Sequence, residues 1–171
     1  LCDDALWAPQ VAALREIAEV WIPDFTQQQT MAEMGASVLR DAPWPQFALA
    51  GLSMGGYIAL ETFVQAPRRV RRLALLDARA RPETEADSAR RAQLVALAQR
   101  ERGFATLTRQ LLPLMVHASR VEDTALREII VGMAERTGLE AYARQQAAIV
   151  SRRDFRPLLR HVDVATLVLC G

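Results

Sequence analysis

Among the 171 residues, the group best placed to do chemistry is Ser53, in Gly51-Leu52-Ser53-Met54-Gly55-Gly56. Before it runs Phe47-Ala48-Leu49-Ala50, short and apolar enough for a buried strand. After it runs Tyr57-Ile58-Ala59-Leu60-Glu61-Thr62-Phe63-Val64, which reads as a helix. Strand, tight turn and helix, with a serine at the apex of G-x-S-x-G, make the nucleophile-elbow pattern. So sharp a turn forces the serine into a sparsely allowed backbone conformation. It brings together the residues two before and two after, so Gly51 and Gly55 are both expected to need smallness, while Gly56 lets the helix lie close on the strand. The first amides of the helix, Met54 N–H above all, point where an oxyanion would form.

A serine is a poor nucleophile without a histidine base, itself oriented by a carboxylate. The chain holds two histidines. His117, at Met115-Val116-His117, reads as surface or helix packing. His161 lies just before the final strand, hence at the edge of a parallel sheet opposite to Ser53. Asp77, at the C-terminal tip of a strand, is the one alternative acid, and it reads first as a loop-capping carboxylate. Asp3 and Asp4 look like a helix start. Cys2 has no histidine partner. No His/Cys/Asp cluster has metal-ligand spacing, and Gly51-x-x-x-Gly55-Gly56 is not a dinucleotide fingerprint, so no cofactor or metal is expected.

The elements that must hold Ser53 follow from periodicity. A helix is predicted over 4–19, and Val20-Trp21-Ile22-Pro23 reads as a short strand. Thr30-Met31-Ala32-Glu33 has capping-box form and opens a helix through Leu39, which Pro43 and Pro45 close. After the elbow helix Pro67 stops the chain, and Leu73-Ala74-Leu75-Leu76 makes the next strand. Strands alternating with helices imply an α/β fold: a mostly parallel sheet with helices on its faces. From residue 78 to 161 the pattern is all helical. Four apolar stripes mark it: Leu94, Val95, Leu97 and Ala98; Phe104, Leu107, Leu111 and Leu114; Leu126, Ile129, Ile130 and Met133; Leu139, Tyr142, Ala143 and Val150.

With these pieces in order, the chain resembles the α/β-hydrolase fold family, in particular its smaller esterase-like members with a helical cap. The opening Leu1-Cys2-Asp3-Asp4-Ala5-Leu6-Trp7-Ala8-Pro9-Gln10 looks like the segment after the family's oxyanion loop. Leu73-Ala74-Leu75-Leu76-Asp77 looks like the strand after the elbow helix. Val164-Ala165-Thr166-Leu167-Val168-Leu169-Cys170-Gly171 looks like the strand that returns from the cap. The resemblance implies 1–77 as the first part of the core, 78–161 as a cap shaping the substrate pocket, and 162–171 as a returning core strand. It implies Ser53 as catalytic nucleophile, Met54 and Leu1 as oxyanion-hole positions, and a small ester, lactone or similar acyl substrate. Carbon–carbon hydrolysis, perhydrolysis and a non-catalytic ligand-binding module are the alternatives. Some family members place their acid where Asp77 stands. The usual order is Ser, acid, His. It puts acid and base past Gly171, so a core truncated at both ends, inactive alone, is expected.

Bulk properties agree. Hydrophobic residues make up 51% and charged residues 24%, with net charge +1, so no strong field draws nucleic acid or anionic membrane. All basic residues are Arg, and the run Arg68, Arg69, Arg71, Arg72 reads as a solvated helix end. Two cysteines are too few for a disulfide framework, and no stretch could span a bilayer. A reduced, cytoplasmic setting is the expectation.

Overall fold

Local signals in the chain start most of its elements. Asp3 Oδ1 accepts the Ala5 N–H at 3.0 Å and opens a 3-10 turn over Asp4–Leu6. Helix α1, Ala8–Arg15, then begins with Pro9 in its first turn, where a residue without an N–H costs nothing. The single helix predicted over 4–19 is therefore two shorter pieces. Thr30 Oγ1 accepts the Glu33 N–H at 3.1 Å, starting α2, Met31–Asp41. Glu33 reaches back to the N–H of Gln29 at 2.7 Å, one residue further out than a standard capping box.

In this computed structural model, residues 2–100 and 103–171 are described. Their strands are β1, Phe47–Leu52; β2, Val70–Leu76; and β3, Ala165–Leu169. They form one sheet in the order β1-β2-β3, parallel throughout, with Leu52 beside Leu76 and Leu76 beside Leu169. The predicted strand at 20–23 is absent. A strand exists only through a ladder partner, and among the described residues none pairs with this segment. Helix α3, Met54–Gln65, links β1 to β2. Nine of its twelve residues are buried, as expected of a helix apolar on almost every face. Pro67 ends it, heading a 3-10 turn over Pro67–Arg69.

Between β2 and β3 the described residues hold helices and no strand: α4, Glu85–Arg100; α5, Phe104–Leu111; and α6, Thr124–Val150. The third and fourth predicted helices are the two arms of α6. Gly138, at φ 72° and ψ 166°, breaks it where only a residue without Cβ sits easily. Leu114 leaves the predicted stripe of α5, because the Leu112–Leu114 turn, which contains Pro113, changes the helical phase and leaves it 75% exposed.

The chain forms two compact units. One comprises residues 1–27 and 89–146. Its core is Ala98, Phe104, Leu107, Ala134 and Tyr142, with the Phe104 and Tyr142 rings stacked at 4.0 Å. Within this unit Arg144 donates to the Thr26 carbonyl through Nε and Nη2, and Arg136 pairs with Asp3. The other unit comprises residues 28–88 and 147–171 and contains the sheet. Here α2 packs on α3 so closely that a Cβ on Gly35 would lie 3.3 Å from the Thr62 backbone nitrogen. Met34, Val38, Ile58, Phe63, Leu73 and Phe155 form much of its core.

Candidate active site

Ser53 stands between the end of β1 and the first residue of α3, with φ 51° and ψ −109°, and it is exposed. Positive φ on a non-glycine residue is costly and persists only where the surroundings impose it. They do so here. The Ser53 N–H donates to the Leu76 carbonyl at 2.8 Å, continuing the β1–β2 ladder by one residue. The Ser53 carbonyl accepts the Gly56 N–H at 3.0 Å, already inside the helix. The serine is thus held as the last residue of the strand and the cap of the helix at once.

The glycines divide the steric work unequally. A Cβ on Gly51 would lie 2.2 Å from the carbonyl carbon and oxygen of Gly55 and 2.5 Å from the nitrogen of Gly56. Gly51 is therefore required. A Cβ on Gly55 would meet nothing within 4 Å, so the expected need for smallness at both positions is corrected to one. The reason is directional: the Gly51 Cβ vector points into the helix, whereas that of Gly55 points away from the turn. Gly56 is required too. Its Cβ would lie 2.4 Å from the Ala78 Cβ and 3.4 Å from the Gly51 carbonyl oxygen, so it admits the segment after β2 as well as the strand.

Met54 is the first residue of α3 and its side chain is buried. The first N–H groups of a helix have no acceptor within it, and Met54 carries the first of them in α3. Leu1, the second expected oxyanion-hole position, lies outside the described residues.

Asp77 also has positive φ, 45°, directly beyond β2. Its N–H donates to the Leu169 carbonyl at 2.9 Å, and its Oδ1 accepts the Gly171 N–H at 3.0 Å. It is the loop-capping carboxylate the sequence suggests, tying the tips of β2 and β3. His161 ends the 3-10 helix Arg156–His161 that leads to β3 and accepts from Arg160 Nε at 3.1 Å. The strands are parallel, so His161 and Ser53 are at opposite edges, separated by the ~16 Å rise of a five-residue strand. His117 caps the turn Ala118–Arg120: its Nδ1 is 2.8 Å from Ser119 Oγ and accepts the Ser119 N–H.

Elsewhere, Cys2 and Cys170 are free and exposed, and no metal-binding cluster occurs among the described residues. No described helix is long and apolar enough to cross a membrane. The arginine run is not simply solvated. Arg69 donates to the Leu39 and Trp44 carbonyls, at 3.0 and 2.7 Å, and lies over the Phe47 ring, while Arg71 donates to Gln46. A hollow of about 400 Å³ in the sheet unit is lined by Leu60, Leu73, Leu75, Leu159, Val168 and their neighbours. No titratable group lines it, and it has nothing to catalyse with.

Sequence reasoning missed a fully buried ion pair. Arg152 and Glu83 form an ion pair whose side chains are 0% and 1% exposed. Charged residues outside any motif read as solvated, and these two are 69 positions apart. No local signal joins them.

Comparison with known proteins adds relatives. The sequence model of one family, described as alpha/beta hydrolase fold, matches residues 6–152. No curated protein matches. Among solved structures, a thermophilic esterase from Thermogutta terrifontis is 27% identical with a TM-score of 0.86, the match covering 99% of this chain and 67% of that one. The enol-lactonase from Burkholderia xenovorans LB400 is 24% identical with a TM-score of 0.79, over 99% of this chain and 68% of its own. A hydrolase from Pseudomonas aeruginosa PA01 is 21% identical with a TM-score of 0.82, over the same shares. The latter two establish likeness of fold only.

Proposed function

Because this chain belongs to the α/β-hydrolase fold family, we propose that it is a serine hydrolase in which Ser53 attacks a small ester, lactone or similar acyl substrate. The observation that carries this reading is the backbone of Ser53: positive φ, an exposed residue, and a strand behind it with a helix ahead. That conformation lifts the hydroxyl clear of the sheet at the C-terminal strand edge, where parallel sheets bind ligands. The thermophilic esterase, at 27% identity, supports ester chemistry over the other reactions the fold accommodates.

In the proposed reaction Ser53 Oγ bonds to the carbonyl carbon as a general base takes the hydroxyl proton. The carbonyl π pair moves to oxygen, and the Met54 N–H stabilises that oxyanion, with Leu1 proposed for the second donor position. Collapse expels the alcohol, which recovers a proton from the base, and leaves an acyl-Ser53. Water attacks the acyl carbon in the same way and regenerates the serine. Neither histidine of the chain is assigned as base, since His161 is at the far sheet edge and His117 is engaged in a cap. The reading carries with it a core of 1–77 and 162–171, and a substrate-shaping helical segment of 78–161.

The test is hydrolysis of p-nitrophenyl esters by the full-length protein and its Ser53→Ala variant. Turnover is expected to fall by about 10⁴-fold or more with the fold intact. Near-normal turnover in the variant would remove Ser53 from the mechanism.

A further inference from the structure

Two segments of the sheet unit connect it to residues 89–146. The chain leaves through 80–88 and comes back through 147–155. These segments do not merely pass each other. The Phe155 N–H donates to the Ala80 carbonyl at 2.8 Å. Arg152 Nε and Nη2 both donate to the Arg81 carbonyl, at 3.2 and 3.0 Å. Its Nη1 donates to Glu83 Oε2 and, at 2.9 Å, to the Ile149 carbonyl. A single guanidinium therefore holds the departing backbone, a carboxylate on the departing segment, and the last turn of α6.

The Cζ of that guanidinium lies over the ring of Tyr57, 4.2 Å from the centroid. Tyr57 is on α3, one turn past Ser53. The next residue, Arg153, pairs with Glu61, which is four positions further along α3. Arg153 Nε is 3.0 Å from Oε2, and Nη2 is 3.0 Å from Oε1. Positions four apart share a helix face. Consecutive arginines thus dock the returning chain on one face of the helix that begins at Ser53.

Only arginine can do this. Contacts to the Arg81 carbonyl, the Glu83 carboxylate and the Ile149 carbonyl at once need its rigid fork of donors, which lysine lacks. Stability is a poor reason for such a group, because apolar residues of similar size often replace buried ion pairs without loss. The better-attested use of a buried pair is fixing register.

We propose that Arg152 is a positioning residue for the hydrolytic site. It locks the departing and returning segments together on the elbow helix, so that substrate binding depends on a clasp that touches no substrate. The inference rests on the assignment of Ser53 as nucleophile.

The test compares Arg152→Met, Arg152→Lys and the double variant Arg152→Met/Glu83→Gln in the full-length protein. The single Met variant takes the guanidinium away from the buried Glu83 carboxylate and is expected to lose stability. The double variant removes both charges and is expected to regain it. In the folded double variant, and in Arg152→Lys, KM for p-nitrophenyl octanoate should rise by about tenfold, while kcat for the acetate changes by less than about twofold. Amide hydrogen exchange should quicken over 57–61 and 80–88 but not in the strands. A double variant with wild-type KM values and wild-type exchange would overturn the proposal and leave the pair a merely structural one. Exchange needs no turnover, so it judges the clasp even where Ser53→Ala shows the nucleophile to be elsewhere.

Discussion

Gly51→Ala and Gly55→Ala make a stringent pair of substitutions, because they add the same methyl group to the same turn. At Gly51 the new carbon would sit 2.2 Å from two backbone atoms of Gly55 and 2.5 Å from the Gly56 nitrogen. Comfortable contact begins near ~3.5 Å, so α3 would have to retreat by about 1 Å. Overpacking costs about 1–3 kcal/mol where side chains can yield. Here the obstacle is backbone, and the retreat also strains the Gly56 N–H to Ser53 carbonyl bond, worth about 1 kcal/mol. A loss of about 3–4 kcal/mol follows, a large share of a typical 5–15 kcal/mol. At Gly55 the methyl meets nothing within 4 Å, and the residue lies inside α3, where Ala exceeds Gly by about 0.5–1 kcal/mol. Gly55→Ala should therefore be neutral or stabilising. Urea unfolding followed by far-UV circular dichroism, with m-values compared, measures both. A Gly51→Ala protein as stable as the parent would refute the steric reasoning, as would a Gly55→Ala protein weakened by more than about 1 kcal/mol.

Two further outcomes are expected. Gly56→Ala should destabilise, because its Cβ would lie 2.4 Å from that of Ala78, and Ala78→Gly should rescue it; the cycle is read by thermal unfolding, and additive losses would refute it. The Asp3 carboxyl is held below the usual carboxylate range, first by its hydrogen bond from Arg136 and also by the Ala5 N–H. A lowered carboxyl contributes stability above its unfolded value, near ~3.9, and loses it as pH falls through the folded value. Asp3→Asn should therefore melt below the parent at neutral pH and converge with it in acid; a pH-independent gap between the two would contradict this.

How much of this molecule could be read in its sequence depends on how local the determining interaction is. The elbow was legible because the signals that mark it lie together within residues 47–65: an apolar strand, a serine, glycines, then a helix. Thr30 with Glu33, Asp3 with Ala5, and Pro67 act over at most a few positions, and each marked an element boundary as read. Segment 20–23 failed because strand formation is not a local property; an apolar stretch needs a neighbour to pair with. Which glycine mattered was likewise undecided by spacing, since Gly51 and Gly55 are alike on paper and differ only in where a Cβ would point. Asp77 looked like a capping carboxylate, but its partner, the Gly171 amide, is 94 positions away. The clasp of Arg152, Glu83 and Tyr57 left no mark in the sequence at all. Hydrophobic pattern and turn chemistry are short-range and survive in one dimension. The burial of a charge is settled by which distant segments meet, and only the tertiary fold supplies that.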